Sequence, residues 1–263
     1  MHASITGARS ELGALLARQA APGDAGRVHF NVAGQQANTL LHDGHAWKDF
    51  ARAAPAGARR ALRSSRAEGV AMLVHASFAF VHAVERGARL KEPLRSSVEA
   101  ILECEALALS GPVPACVVRL GYLYGPASDD LRAYRTAFRL GRPYWSGPSG
   151  ARQYHLHQFD AVSALQAAAG ARNAGRILYA TDGAAVSFAQ FMDAFARRVG
   201  RRRPLHLPLF AKPLARLIIR EEHMQQTALP MPPRMPTPRV PGWKPRLADY
   251  RDGLDEVIAA WGD

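Results

Sequence analysis

Ile5-Thr6-Gly7-Ala8-Arg9-Ser10-Glu11-Leu12-Gly13 is the stretch on which the reading of the fold turns. Ala3 to Thr6 reads as a short buried strand, and Glu11 to Gln19 as a helix with Leu12, Leu15 and Leu16 on one face. A glycine turn joins them. Strand, glycine turn and helix in this order set a helix N-terminus, with its unpaired backbone N–H groups, against the pyrophosphate of a dinucleotide. The middle position of the T-G-x-x-G-x-x-G spacing holds Ser10 instead of glycine. Two readings follow. In one, backbone amides near Ser10 and Glu11 hold an anion; in the other, Gly7 and Gly13 serve packing alone and Glu11 disfavours a phosphate.

Helical and strand-like segments alternate beyond the turn. Pro22 to Gly26 is a loop, Arg27 to Val32 a strand, and Trp47 to Arg66 a helical region turning Phe50, Ala54, Ala58, Ala61 and Leu62 toward a sheet. Gly69 ends that region. Val70 to Ala76 is a buried strand, Pro93 to Leu109 a long helix, and Ala115 to Leu120 a further strand. Such alternation predicts a parallel sheet covered by helices on both faces. After about residue 140 the elements shorten. Ala228 to Pro245 is too rich in proline for regular structure and is expected to wrap over the body, before a short amphipathic helix at Leu247 to Trp261.

With 263 residues, 48% of them hydrophobic, the chain is long enough for one large α/β domain or for one domain with a small appendage. No apolar run reaches the roughly 18 residues of a membrane span, and Met1 leads straight into a strand, so a cytoplasmic protein is expected. Cys104 and Cys116 lie among apolar neighbours and read as buried, reduced thiols. The net charge of +12 comes almost wholly from arginine. Its densest cluster, Arg197-Arg198 with Arg201 to Arg203, closes a helix, where cations complement the dipole. No nucleic-acid-binding motif accompanies it, so no nucleic-acid partner is expected. His42 with His45, and His155 with His157, have metal-compatible spacings but no supporting cysteine or carboxylate cluster, so no metal is expected. The stripe Leu214, Leu217 and Ile218, with Arg216 and Arg220, reads as a lid helix.

Seven segments in register resemble the extended short-chain dehydrogenase/reductases, the NAD-dependent epimerase/dehydratase family. Thr6 to Gly13 is similar to the family's glycine turn, and Val28-His29-Phe30-Asn31-Val32-Ala33-Gly34 to its fourth strand ending in H-L-A-G. Gly57 matches the glycine of the next helix, and Val74 to His82 resembles V-S-S-x-x-V-Y-G. Val118 to Pro126 resembles L-R-P-x-N-V-Y-G-P, His155 to Asp160 resembles V-H-V-x-D, and Gly242 to Arg246 with Gly253-Leu254 resembles G-W-x-P-x…G-L. The resemblance implies an α/β fold: a Rossmann-like parallel sheet covered by helices, with a small C-terminal substrate-type subdomain. Residues 1–140 would be the NAD(P)-binding-type domain, and 141–263 would add late sheet elements and the subdomain. It implies NAD or NADP held by Thr6, Gly7, Ser10, Glu11, Gly13, Ala33, Tyr124 and Pro126. It also implies a polar small molecule such as a nucleotide sugar as substrate, and a possible homodimer. Asp160 would cap the helix Ala161 to Ala169.

The chain departs from that pattern in three places. Only Ala20 to Gly26 separates the first helix from the fourth-strand match, too little for two further strand–crossover units. The sheet is then trimmed at one edge, to the order 1-4-5-6-7, and the adenosine ribose loses its side-chain partner. Ser97 and Ile101 occupy the places of the catalytic tyrosine and lysine, and no Tyr-x-x-x-Lys occurs anywhere. A tyrosine without its lysine titrates near ~10 and is no base at neutral pH. Phe78 replaces the substrate-binding serine or threonine, with Ser77 one step earlier. Ser77, His82 and Tyr122 remain as catalytic candidates in the cleft. The NAD or NADP site is accordingly expected to be weak or lost. A non-catalytic scaffold or ligand-sensing relative, and a cofactor-free isomerase or lyase, are the competing readings. An open cleft with Tyr122 and His82 pointing into it favours an enzyme; one filled by Phe78 and Phe80 favours the scaffold.

Overall fold

The computed structural model describes residues 3–19, 27–38, 44–207 and 221–262, with Phe210 and Pro213. The loop Pro22 to Gly26, His42, the side chain of His45 and the 214–220 stripe lie outside the described residues. The central sheet has five strands: β1 (Ala3–Thr6), β2 (Val28–Asn31), β3 (Met72–Phe78), β4 (Ala115–Leu120) and β9 (Ile177–Ala180). Their spatial order is β1-β2-β3-β4-β9 and every pairing is parallel. The expected α/β class holds. Among the described residues β1 forms one edge, as the trimmed order requires.

Helices cover both faces. On one, Leu12 and Leu16 of α1 (Glu11–Gln19) and Val162, Leu165 and Ala168 of α6 (Gln158–Ala168) pack on Phe30, Val74, Cys116 and Val118. On the other lie α2 (Gly44–Ala67) and, after the short α3 (Val81–Glu85), α4 (Leu94–Leu109); α2 and α4 pack against each other, and Leu62 and Ala108 cover Leu73 and Val117. The steps β1–β2, β2–β3 and β3–β4 run the same way along the sheet. With α1 on one face and α2 and α4 on the other, the first crossover has the opposite hand to the next two. Right-handed crossovers dominate such sheets, and the β4–β9 connection, which steps the same way with α6 on the α1 face, shares the hand of the first.

The connection from β4 to β9 carries β5 (Tyr122–Tyr124), α5 (Asp129–Arg139), β6 (Tyr144–Trp145), β7 (Arg152–Gln153), β8 (His155–His157) and α6. Strand β5 pairs in parallel with β8, and β7 antiparallel with β10 (Val186–Ser187), which leads into α7 (Phe188–Arg198). The last paired strand, β11 (His206–Leu207), lies beside β6. A helix at Glu221–Thr227 precedes the proline-rich segment, which wraps over the body as expected. Tyr179 N–H donates to Pro238 C=O and Val240 N–H to Tyr179 C=O, while the Trp243 indole N–H donates to Ser163 Oγ. The closing helix is Tyr250–Trp261.

One expectation is corrected here. His157, not Asp160, caps α6, accepting from Phe159 N–H. Asp160 sits inside the first turn and instead accepts the backbone N–H groups of Arg246 and Leu247, at 2.8 and 2.9 Å. Its carboxylate fastens the proline-rich strap. No described helix is long and apolar enough to cross a membrane.

Candidate functional site

The glycine turn is held by packing. Gly7 lies at φ +92°, and a Cβ there would come within 2.7 Å of Ala33 N. A Cβ on Gly13 would approach Gly7 O to 2.1 Å. Ser10 closes the turn from within: its hydroxyl donates to Gly7 C=O at 2.7 Å and accepts Gly13 N–H at 3.1 Å. One N–H of the α1 N-terminus is thereby consumed by the protein itself. Glu11 faces solvent by surface area but is hemmed in by neighbouring atoms. That desolvation, with the Asp129 and Asp130 carboxylates of α5, pushes its carboxyl up to about 7. Gln158 Nε2 donates to Glu11 Oε2 at 3.2 Å, and the same side chain lies against Gly125. Thr6 Oγ1 is engaged by His29 Nε2 at 2.9 Å, and Ala33 N–H by Asn31 Oδ1 at 3.3 Å. Thr6, Gly7, Ser10, Glu11, Gly13 and Ala33 thus assemble. The Tyr124 hydroxyl points at Gly253, and Pro126 C=O accepts from Trp261 Nε1 and Arg132 Nη2.

Between β3 and α4 the cleft is filled by aromatic side chains. Trp47 packs on Phe50, Phe78 and Phe80 with ring centroids 5.7 to 5.9 Å apart. Phe50 stands edge-on to Phe78 at 5.5 Å, and its ring occupies the space a Cβ would take on Gly34, at 2.4 Å. Ser97 is fully buried, its hydroxyl donating to the Trp47 and Pro93 carbonyls. Ala33, Phe50, Ser77, Phe78, Ile101 and Cys104 enclose about 10 Å³, room for roughly one water.

Ser77 and His82 meet in one hydrogen-bonded network. The Ser77 hydroxyl donates to Glu105, whose carboxylate also receives Arg119 Nε and Nη2, at 2.9 and 2.7 Å. Arg119 reaches Glu85 at 2.6 and 2.7 Å and Tyr179 OH at 2.8 Å; that hydroxyl lies 3.3 Å from His82 Nδ1. Burial opposes the Arg119 charge, but Glu105 and Glu85 outweigh it and raise its pKa. Burial lowers the His82 pKa, so the ring is neutral at pH 7. Sequence reasoning read Arg119 only as part of a motif. The signal was an arginine inside the apolar strand Ala115–Leu120, which demands buried counter-charges.

Tyr122 is 3% exposed, its ring is stacked on Phe80 at 5.6 Å, and its hydroxyl has no partner among the described residues. Burial raises its pKa, so it stays a neutral phenol. His155, across the β5–β8 pair, stacks on Phe191 at 4.1 Å with both ring nitrogens unpartnered; desolvation pushes it down to about 3. His157 and His75 are pushed down to about 4, again chiefly by burial. Among the described residues no three His, Cys, Asp or Glu side chains gather to hold a metal ion.

No family model matches the chain. A 3-diazoavenalumate denitrifying reductase from a Streptomyces species is 32% identical over 231 residues, 82% of this chain and 75% of the relative. Among solved structures, a UDP-glucose 4-epimerase from Thermotoga maritima with UDP-glucose has a TM-score of 0.72 at 13% identity, covering 100% of this chain and 99% of its own. The human epimerase family protein SDR39U1 with NADPH has a TM-score of 0.72 at 16% identity, covering 98% and 99%. The NAD-dependent NDP-hexosamine 5,6-dehydratase TunA has a TM-score of 0.64 at 14% identity, covering 99% and 97%.

Proposed function

This chain belongs to the extended short-chain dehydrogenase/reductases, the NAD-dependent epimerase/dehydratase family, and from that premise we propose that it binds a small polar molecule in the family's cleft without dinucleotide redox chemistry. The observation against dinucleotide redox chemistry is the aromatic packing between β3 and α4. Trp47, Phe50, Phe78 and Phe80 occupy the space between β3 and α4, and Ser97 and Ile101 stand where the tyrosine and lysine would act. The turn points the same way. Ser10 uses a helix-terminal N–H, and Glu11, Asp129 and Asp130 place acidic groups where a pyrophosphate needs positive potential. The residues present do not fit NAD or NADP, and no step is routed through either.

Ser77 in this reading is a structural hydroxyl of the Arg119 network, and His82 the partner of Tyr179. The ligand lies between the C-terminal ends of β3 and β4 and the strap, beside Tyr122. Thermal unfolding tests the proposal, because a ligand that binds only the folded state raises the midpoint by mass action. Millimolar NADH, NADPH and UDP-glucose are expected to leave the midpoint unchanged. A saturable rise with either dinucleotide contradicts the proposal.

The similarity to a reductase favours a second reading, an NAD(P)H-dependent reductase that works without the tyrosine–lysine pair. Its test is NADPH consumption with an aryl diazonium salt. Turnover above the protein-free rate establishes it; none is expected here.

A further inference from the structure

Away from the cleft, α5 and α7 end side by side, tied by the Phe138 and Phe195 rings at 6.1 Å and by the pairing of β6 with β11. The chain leaves each helix through an exposed corner. After α5 it runs Leu140-Gly141-Arg142, and beyond α7 it runs Arg201-Arg202-Arg203-Pro204-Leu205. The corners touch: Tyr144 N–H donates to Leu205 C=O at 2.9 Å, and a Cβ on Gly141 would lie 3.6 Å from Arg201 Nη2. Arg142, Arg202 and Arg203 are exposed and Arg201 is half-buried, and none of the four has a carboxylate partner among the described residues. Asp193 of α7 and Asp255 of the closing helix are taken, by His206 at 2.8 Å and by Arg198 at 2.6 Å. Arg197 and Arg198 already stand in the last turn of α7 and complement its dipole, so Arg201 to Arg203 are surplus to that role. The same surface is apolar. Four large hydrophobic side chains are exposed among the described residues; Leu140, at 65%, and Leu205, at 51%, stand among these arginines, and Phe210, at 87%, follows β11 by three residues. Single exposed leucines are ordinary, but three of the four gathered beside unpaired arginines form a patch.

We propose that this corner is a docking surface for a membrane that carries anionic phospholipid. It is independent of the cleft and of what the cleft binds. Arginines beside apolar side chains match such a membrane twice. The guanidinium groups pair with headgroup phosphates, and Leu140, Leu205 and Phe210 enter the boundary of the acyl layer. The chain then lies on the membrane without crossing it, since no described helix is long and apolar enough to cross. Nucleic acid offers the same phosphates but no apolar layer to take up two leucines, and that difference decides for lipid. The run Arg201 to Arg203 is plain in the sequence, whereas its neighbours Leu140 and Arg142 reach it only through the β6–β11 pairing.

Co-sedimentation of the full chain with vesicles tests the proposal, using phosphatidylcholine alone and phosphatidylcholine with about 30% phosphatidylserine. Binding is expected to be about tenfold stronger on the anionic vesicles and to weaken about tenfold between roughly 0.1 and 0.5 M salt. The net charge of +12 attracts any anionic surface, so the variants carry the decision. Arg202→Gln with Arg203→Gln is expected to weaken binding about tenfold. Arg60→Gln with Arg63→Gln, on the exposed face of α2, removes the same charge and is expected to leave binding unchanged. Leu140→Gln with Leu205→Gln keeps every charge and is expected to weaken binding about tenfold. All six side chains are exposed, so each double variant keeps the fold, and its circular dichroism matches wild type. No preference for anionic vesicles, equal losses in the two arginine pairs, or full binding by the leucine pair overturns the proposal. So does a duplex DNA oligonucleotide that binds as tightly as the vesicles with an affinity the leucine pair leaves unchanged, which makes the surface one for nucleic acid.

Discussion

The glycine turn and the slot between β3 and α4 differ in what holds their residues in place. At the turn, Gly7 and Gly13 face backbone atoms closer than any Cβ allows. Their identity is enforced by packing, whatever the site binds. In the slot, Ile101 packs with Trp47, Phe50, Phe78 and Phe80, and the Ser97 hydroxyl donates to the Trp47 carbonyl. The comparison teaches that a glycine motif reports ancestry more firmly than activity.

Acid attacks the buried histidines first and gives the largest effect. His75, His155 and His157 ionise in the fold at about 4, 3 and 4, against 6.5 when unfolded. The unfolded chain therefore binds protons first. Their contribution is complete above about pH 6.5 and falls as pH drops toward 4. Denaturant titrations are expected to lose about 2 kcal/mol per histidine between pH 6.5 and about pH 5. Glu11 runs the other way: with its carboxyl raised to about 7, its contribution fades as pH rises from 4.5 through 7, and Glu11→Gln removes that slope.

Arg119→Met leaves Glu105 buried without its counter-charge and is expected to cost about 4 kcal/mol in urea denaturation. An unchanged midpoint breaks the claim that the slot region is held by this network. Gly13→Ala is expected to cost about 3 kcal/mol, because its Cβ meets the Gly7 carbonyl. Ser10→Ala removes one helix cap and is expected to cost about 1 kcal/mol. If Gly13→Ala proves as mild as Ser10→Ala, packing does not explain why the glycines persist.

Much of the sheet was legible. Strands Ala3–Thr6 and Ala115–Leu120 and helix Glu11–Gln19 have the extents their apolar patterns predict: Ala115–Leu120 is buried along its whole length, Ala3–Thr6 is half-buried at the sheet edge, and the helix buries Leu12 and Leu16. The two-residue strands β6, β7, β10 and β11 were not read, since they carry no periodicity and exist through pairing alone. The candidate site was legible where backbone geometry fixes residues, at Thr6 to Gly13 and Ala33. It was illegible where distant side chains meet: Trp47 against Phe78, Arg119 between Glu85 and Glu105, Asn38 and Gln153 around Tyr122. Asp160 shows the same limit. Its place at a helix start suggested a cap, whereas its partners lie 86 and 87 residues away on the strap.

The proposed function has the glycine turn holding no dinucleotide. Fluorescence titration of the wild-type chain with NADH and NADPH tests it most directly, reading the rise in nicotinamide emission that follows transfer from water into a protein site. The account predicts no saturable signal up to millimolar concentration with either dinucleotide. A hyperbolic signal abolished by Gly7→Val in a folded sample would contradict it.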